Sequence, residues 1–253
     1  GIRVVPAVVV MGGQTYRDHV DMTRDEFYRR LPISDPLPST AAPAAGEFEA
    51  VYDSLPDGPI ISLHLAAAFS GIFNAARIAA QSFGGRVTVI DTGTVSMGIG
   101  WQVIAAAEAI AGSATMEAVL EVIASVRRRL KMLALLDTFD NLRRGGRISL
   151  IRASIGAILQ VKPLLDIGDS KLTPVSQERT RRKALAGLIL LVQSFGSLER
   201  LAVLYSDNRD LGVELLEGIK PQAQTPPLLI QATPTLGTHA GINAVGVAVV
   251  TSS

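Results

Sequence analysis

The chain has 253 residues, 48% of them hydrophobic, and a net charge of +1. That length and apolar content supply a sizeable core for one or two domains, and the near-neutral balance leaves no whole-molecule field to attract nucleic acid or an anionic membrane. The absence of cysteine removes disulfides, thiolate metal sites and a cysteine nucleophile together, and it fits a reducing compartment.

In chain order, RVVPAVVVMGG (3–13) is β-branched and ends in two glycines, which predicts a strand and a turn. TRDEFYRRL (23–31) opens on a capping threonine with acids in its first turn, a helix start. Residues 32–48 carry prolines 32, 36, 38 and 43 and read as loop, with EAVYDSL (49–55) as a short helical turn. PIISLHL (59–65) and RVTVIDT (86–92) are continuous apolar runs, the pattern of buried strands. IFNAARIAAQSF (72–83) lies between them as a helix, and residues 96–110 and 115–132 form two more helices broken at Gly112-Ser113. This alternation predicts an α/β chain with a mostly parallel sheet flanked by helices.

The rhythm changes near residue 155. VKPLLDIGDSKLTPVSQER (161–179) predicts a hairpin, residues 180–195 a helix, RLAVLYSD (200–207) a strand and RDLGVELLEGI (209–219) a helix. PLLIQATPTLG (227–237) and AVGVAVV (244–250) read as closing strands. We therefore expect two domains: residues 1–154 as α/β, with a first strand lying upstream of residue 1, and residues 155–253 as a smaller α+β unit. The longest apolar stretch, residues 184–195, falls short of the about 20 residues a membrane span needs, and no secretory signal is visible.

Few segments offer chemistry. Ser70-Gly71 opens a helix after a buried strand, where N–H groups and the helix dipole favour an anion. Ser70 can equally be a simple cap. Thr40 is the central hydroxyl of a proline-stiffened loop. Gly145-Gly146 lets the backbone turn or approach a partner closely, and the arginines around it read either as a solvated face or as a docking patch. Asp91 at a strand end is a candidate for catalysis or for capping the next turn. His19, His64 and His239 have no ligand spacing, so a zinc site is not expected. Nucleotide-binding glycine loops and the nucleophile-elbow motif are absent, and no acid–base pair is assembled.

Taken in order, several segments resemble the DegV family of bacterial fatty-acid-binding proteins. TAAPAAGEF (40–48) is similar to its TSQPSPGEF, LAAAFSGIFNAA (65–76) to its ISSxLSGTYxSA, and VIDTGTVSMGIG (89–100) to its VIDSxxxSMGxG. YRDHVDMTRDEFYRRL (16–31), LRRGGRIS (142–149), IGAILQVKPLL (155–165), RTRRKAL (179–185) and GTHAGINAVG (237–246) also match. The resemblance implies a two-domain fold burying one long-chain fatty acid, with the carboxylate held between the domains by Thr40, Ser70, Gly71 and His239. It implies a cytoplasmic carrier without cofactor, metal or catalytic residue, delivering its ligand to a separate fatty acid kinase, with transient membrane contact and no nucleic acid. Arg147, Arg179 and Arg181 would dock the kinase, with Arg143 and Arg144 beside them. The alternative is a phosphoryl-transfer subunit with His239 or His64 as acceptor. The chain departs from the family at Ala44, Ala66 and Ala67, where serines are usual, and at Gly241-Ile242-Asn243, where the family has Gly-Pro-Gly. The family's TDSTADLP segment does not occur in this sequence. Those differences remove polar groups around the head and leave the acyl slot the better-supported half.

Overall fold

In the computed structural model, residues 1–151 and 161–252 are described. The first sheet is antiparallel, with β1 (Val8–Met11) between β2 (Gln14–Arg17) and β3 (Ser39–Ala41). Helix α1 (Arg24–Arg30) follows β2 and is capped as expected, the Thr23 hydroxyl accepting the Glu26 N–H at 3.2 Å. Helix α2 (Ala45–Asp53) is longer than the turn predicted, because Ala44 N–H donates to Glu47 and the helix buries Phe48 and Tyr52.

Strands β4 (Ile60–His64) and β5 (Val87–Asp91) pair in parallel, joined by α3 (Ile72–Ala80). Helices α4 (Met97–Ala111) and α5 (Met116–Arg129) follow, separated at Gly112-Ser113 as predicted. The sequence reading carries the second of them to Met132. Instead the backbone becomes extended at Leu130, and β6 (Leu130–Leu135) begins. Three arginines end α5, where cations suit the helix terminus, and the next six residues are claimed by strand pairing. Helix α6 (Asp140–Arg144) leads toward the undescribed stretch.

The largest sheet has six strands in the order β10-β9-β11-β6-β7-β8, built from β6, β7 (Lys162–Gly168), β8 (Lys171–Glu178), β9 (Leu198–Tyr205), β10 (Leu228–Gln231) and β11 (Val245–Thr251). Helices α7 (Arg181–Gln193) and α8 (Arg209–Ile219) precede and follow β9. The chain is α/β, and among the strands described the parallel pairs are β4–β5 and β9–β10. Those are the pairs joined by a crossover helix, the connection parallel strands require. The β7–β8 hairpin turns on Asp169 and Ser170, both at positive φ, matching the predicted turn to within a residue. The division expected near residue 155, like most of the 155–165 motif, lies outside the described residues. Strand β6 precedes that division and is hydrogen-bonded to β7 and β11.

The two faces of the large sheet differ. Leu133, Leu135, Leu164, Leu201, Val203, Val247 and Val249 point to one side and pack against Leu188 of α7 and Leu215 of α8. Met132, Ala134, Leu165, Ile167, Leu204 and Ala248 point to the other side, toward α4, α5 and the β4–β5 pair. Period-two alternation sets this division.

Candidate functional site

The second face encloses a cavity of about 320 Å³. Met132, Ala134, Leu165, Ile167, Leu204 and Gly246 of the sheet line one wall, and Leu65, Phe69, Val95 and Ile99 the other. Small side chains at 134, 244 and 246 leave the room that leucines fill on the opposite face.

Four polar residues meet at one end of this cavity. Thr40 sits on β3, one strand from β1, and its hydroxyl lies 2.9 Å from His239 Nε2. The proline-rich stretch therefore holds Thr40 in a strand rather than a free loop. His239 lies in the last turn of α9 (Pro234–Ala240), a helix where the sequence reading has a strand and a glycine turn. Pro234 at the first helical position starts it, and Gly241, at φ 76°, ends it. Gly145 explains itself here. A Cβ at that position would stand 2.6 Å from His239 Nδ1, so only glycine lets the loop after α6 close over the imidazole. His239 Nδ1 is buried and has no partner among the described residues. Burial, reinforced by the Arg147 charge, lowers the His239 pKa to about 4, so the ring is neutral at pH 7.

Ser70 lines the same end, its hydroxyl accepting the Ile72 N–H at 3.3 Å. Gly71 is exposed and is not part of the cavity wall; it is the residue before α3, and its carbonyl accepts the Ala75 N–H. Asp91 acts as a clamp on this loop, accepting the Ala67 N–H at 3.1 Å and the Gly93 N–H at 2.8 Å. That agrees with the capping alternative for a strand-end aspartate. Arg147 departs from the surface position expected of it. It is half-buried, lines the cavity, and donates to the carbonyls of Phe69 at 3.3 Å and Gly145 at 2.6 Å. The guanidinium so links the Ser70 loop to the Gly145 turn that covers His239.

Neither Arg179 nor Arg181 touches the cavity. Arg179 is exposed, whereas Arg181 and Lys162 both pair with Asp137. Burial works against the Asp137 charge, but hydrogen bonds from these two cations hold its pKa below the ordinary value. His64 lies outside the cavity wall. Its Nε2 is 2.7 Å from Ser62 Oγ, which in turn is 2.8 Å from the Tyr52 hydroxyl, and Phe48 stands edge-on to its ring. Burial lowers its pKa to about 4. No group of three or more histidines and carboxylates suited to a metal occurs among the described residues, and no helix among them is long and apolar enough to cross a membrane.

Asp18 and Thr235 are among the cavity residues that escape the sequence reading. Thr235 precedes His239 by four residues, a spacing that would have put both on one face had α9 been recognised.

A family model described as "Uncharacterised protein, DegV family" matches residues 1–252. The chain belongs to the DegV family. A DegV domain-containing protein of Mycobacterium tuberculosis is 33% identical, with 98% of this chain and 89% of that protein covered. Among solved structures, a DegV family protein from Thermus thermophilus described by its fatty acid binding superposes with a TM-score of 0.91 at 28% identity, covering 100% of this chain and 92% of that one. DegV from Bacillus subtilis, described as a fatty acid binding protein, has a TM-score of 0.87 at 26% identity, covering 98% and 91%.

Proposed function

We propose that the chain is a carrier that binds one long-chain fatty acid, its tail in the cavity and its carboxylate among Thr40, Ser70, Arg147 and His239. The observation that carries this reading is the meeting of two hydroxyls, an imidazole and a guanidinium at one end of a largely apolar cavity. The DegV relatives described as fatty acid binding support it.

The physical account is direct. About 15 buried methylenes at roughly 0.8 kcal/mol each give on the order of 12 kcal/mol before association costs, so the tail supplies most of the affinity. The head requires fixed donors. A neutral imidazole has one N–H. With that proton on Nε2, His239 donates to Thr40 Oγ1 and leaves the threonine hydroxyl to donate to the ligand. Ser70 already accepts from Ile72, so its own proton is free for the second carboxylate oxygen. Arg147 supplies charge. Alanines at 44, 66 and 67 leave the head with these groups alone.

On this reading the ligand lies between the portions 1–154 and 155–253, and the carrier works in the cytoplasm. A separate kinase performs the phosphorylation, and Arg179, Arg182 and Lys183, exposed around the start of α7, are its docking cations. Gly71 contributes through the chain direction it sets before α3. Transient membrane contact delivers the acid.

Mass spectrometry of an organic extract is expected to reveal a co-purified fatty acid. A preparation that is empty and also refuses labelled oleate and palmitate refutes the carrier. Thr40→Ala combined with Ser70→Ala is expected to weaken binding of palmitic acid by about tenfold or more while barely affecting its methyl ester, as loss of charge-assisted hydrogen bonds requires.

A further inference from the structure

The head-group residues do not account for every polar atom facing the cavity. Asp18 Oδ1 and Thr235 Oγ1 are both shut off from solvent and without a hydrogen-bond partner among the described residues, and both residues line the cavity. Backbone register shows why they face it. Val9 stands opposite Tyr16 on one side and opposite Thr40 on the other, so Val9, Tyr16 and Thr40 share a face of the first sheet. The Asp18 N–H donates to Ala7 O at 2.7 Å, which continues the β1–β2 register one step and puts Ala7 and Asp18 on that same face. Asp18 is thus on the Thr40 side of the sheet, two strands over, with β1 between them. On α9, Thr235 and His239 are four residues apart and stack on one side of the helix. Both orphaned groups thus face the cavity beside the Thr40–His239 pair, Thr235 about one helical turn, roughly 5 Å, from His239 and Asp18 across β1 from Thr40.

Neither group finds a partner among the described residues. Tyr28, the nearest buried hydroxyl on α1, donates to Ala232 O at 3.2 Å. Gly237 presses on the Tyr28 ring so closely that a Cβ there would lie 2.6 Å from its hydroxyl, which fixes α9 against α1. A buried acceptor and a buried hydroxyl left unpaired are a standing penalty on the empty protein and on any complex with a plain hydrocarbon chain.

We infer that Asp18 and Thr235 form a second polar subsite that reads a hydroxyl group on the acyl chain a few carbons from its carboxylate, so that the preferred ligand is a hydroxylated fatty acid. Asp18 Oδ1 accepts the ligand's hydroxyl proton, and Thr235 donates to the same hydroxyl oxygen. The two contacts satisfy three groups at once, and the apolar remainder of the cavity takes the tail as before. This inference rests on the carrier reading, and its test separates the two.

The experiment compares binding of palmitic acid with its 2-, 3-, 4- and ω-hydroxy derivatives to the delipidated full chain by calorimetry, for the wild type and for Asp18→Asn and the near-isosteric Thr235→Val. The expected result is a preference of about tenfold for one of the 2-, 3- or 4-hydroxy acids over palmitic acid in the wild type, reduced to near parity in both variants while their affinity for palmitic acid holds. The ω-hydroxy acid is expected to bind worse than palmitic acid, its hydroxyl being forced among Leu165, Ile167 and Leu172. Equal or weaker binding of every hydroxy acid by the wild type overturns the subsite, with an ordered water then filling the place, and leaves the carrier reading intact. Failure of palmitic acid and all its derivatives to bind overturns the carrier reading itself. The wild-type comparison of positional isomers decides the matter even where a variant does not fold.

Discussion

The two faces of the six-stranded sheet share one backbone yet do different things. On the α7–α8 side, leucines and valines from β6, β7, β9 and β11 interlock with Leu185, Leu188, Leu215 and Ile219, each of these four no more than 3% exposed, and no large space remains. On the α4–α5 side, the same strands present Ala134, Ala244, Gly246 and Met132 to a cavity. Period-two alternation lets neighbouring positions serve the two purposes without interfering. The filled face holds the molecule together, while the hollow face keeps a space that costs stability when nothing occupies it.

The largest effect is expected on the filled face. Leu188→Ala opens a hole where helix meets sheet and is expected to reduce the unfolding free energy by about 2–5 kcal/mol, measured by urea titration, with ligand affinity of the folded fraction unchanged. Ala134→Leu is the converse. On the hollow face the larger side chain has room, so stability is expected to change by less than the roughly 1–3 kcal/mol usual for overpacking, while palmitic acid affinity falls about tenfold. A loss of stability as large as overpacking would mean that this face is filled as well. A subtler change is Gly145→Ala. Its methyl meets His239 Nδ1, displaces the ring from Thr40, and is expected to weaken binding of the free acid several-fold more than that of its methyl ester, within the roughly 1 kcal/mol of a hydrogen bond.

A further effect is expected from pH. His64 and His239 both have pKa values of about 4 in the fold, against about 6.5 when unfolded. Both are neutral above pH 6.5, so their stability contribution is complete there. As pH falls from 6.5 toward 4 the unfolded chain takes up protons that the fold refuses, and stability is lost. At pH 5.5 the loss is on the order of 1 kcal/mol for each histidine, and His64→Gln is expected to halve the slope seen in thermal melts across that window.

Much of the filled face could be read from the sequence, because amphipathic helices and the β7–β8 hairpin carry local signals. The hollow face hid its parts. Strand β6 is buried on both sides, so LKMLAL lacks the alternation that marks a half-buried strand, and it follows an arginine-rich helix without a break. Helix α9 contains two threonines, a glycine and a proline, all poor or indifferent helix formers, and is held by packing of Gly237 on Tyr28 rather than by propensity. The residues of the polar end are separated by up to 199 positions, a closure that no local periodicity encodes, so the convergence of Thr40, Ser70 and His239 rests on the motif resemblance alone. Arg147 misled because a charged residue beside two glycines reads as surface, whereas two backbone carbonyls draw it inward. Asp18 and Thr235 left no signal beyond their types.

The bond between Thr40 and His239 has a bearing on synthesis. A chain emerging from the ribosome completes β3 early and must then wait for almost two hundred further residues before α9 can meet it. Once β6 and β7 have emerged, β6 still lacks β11, its neighbour on one side, and the cavity wall they share lacks the strand that completes it. The sheet is therefore completed only with its last strand, and chaperone occupancy on stalled nascent chains should fall once the segment 234–251 has cleared the exit tunnel.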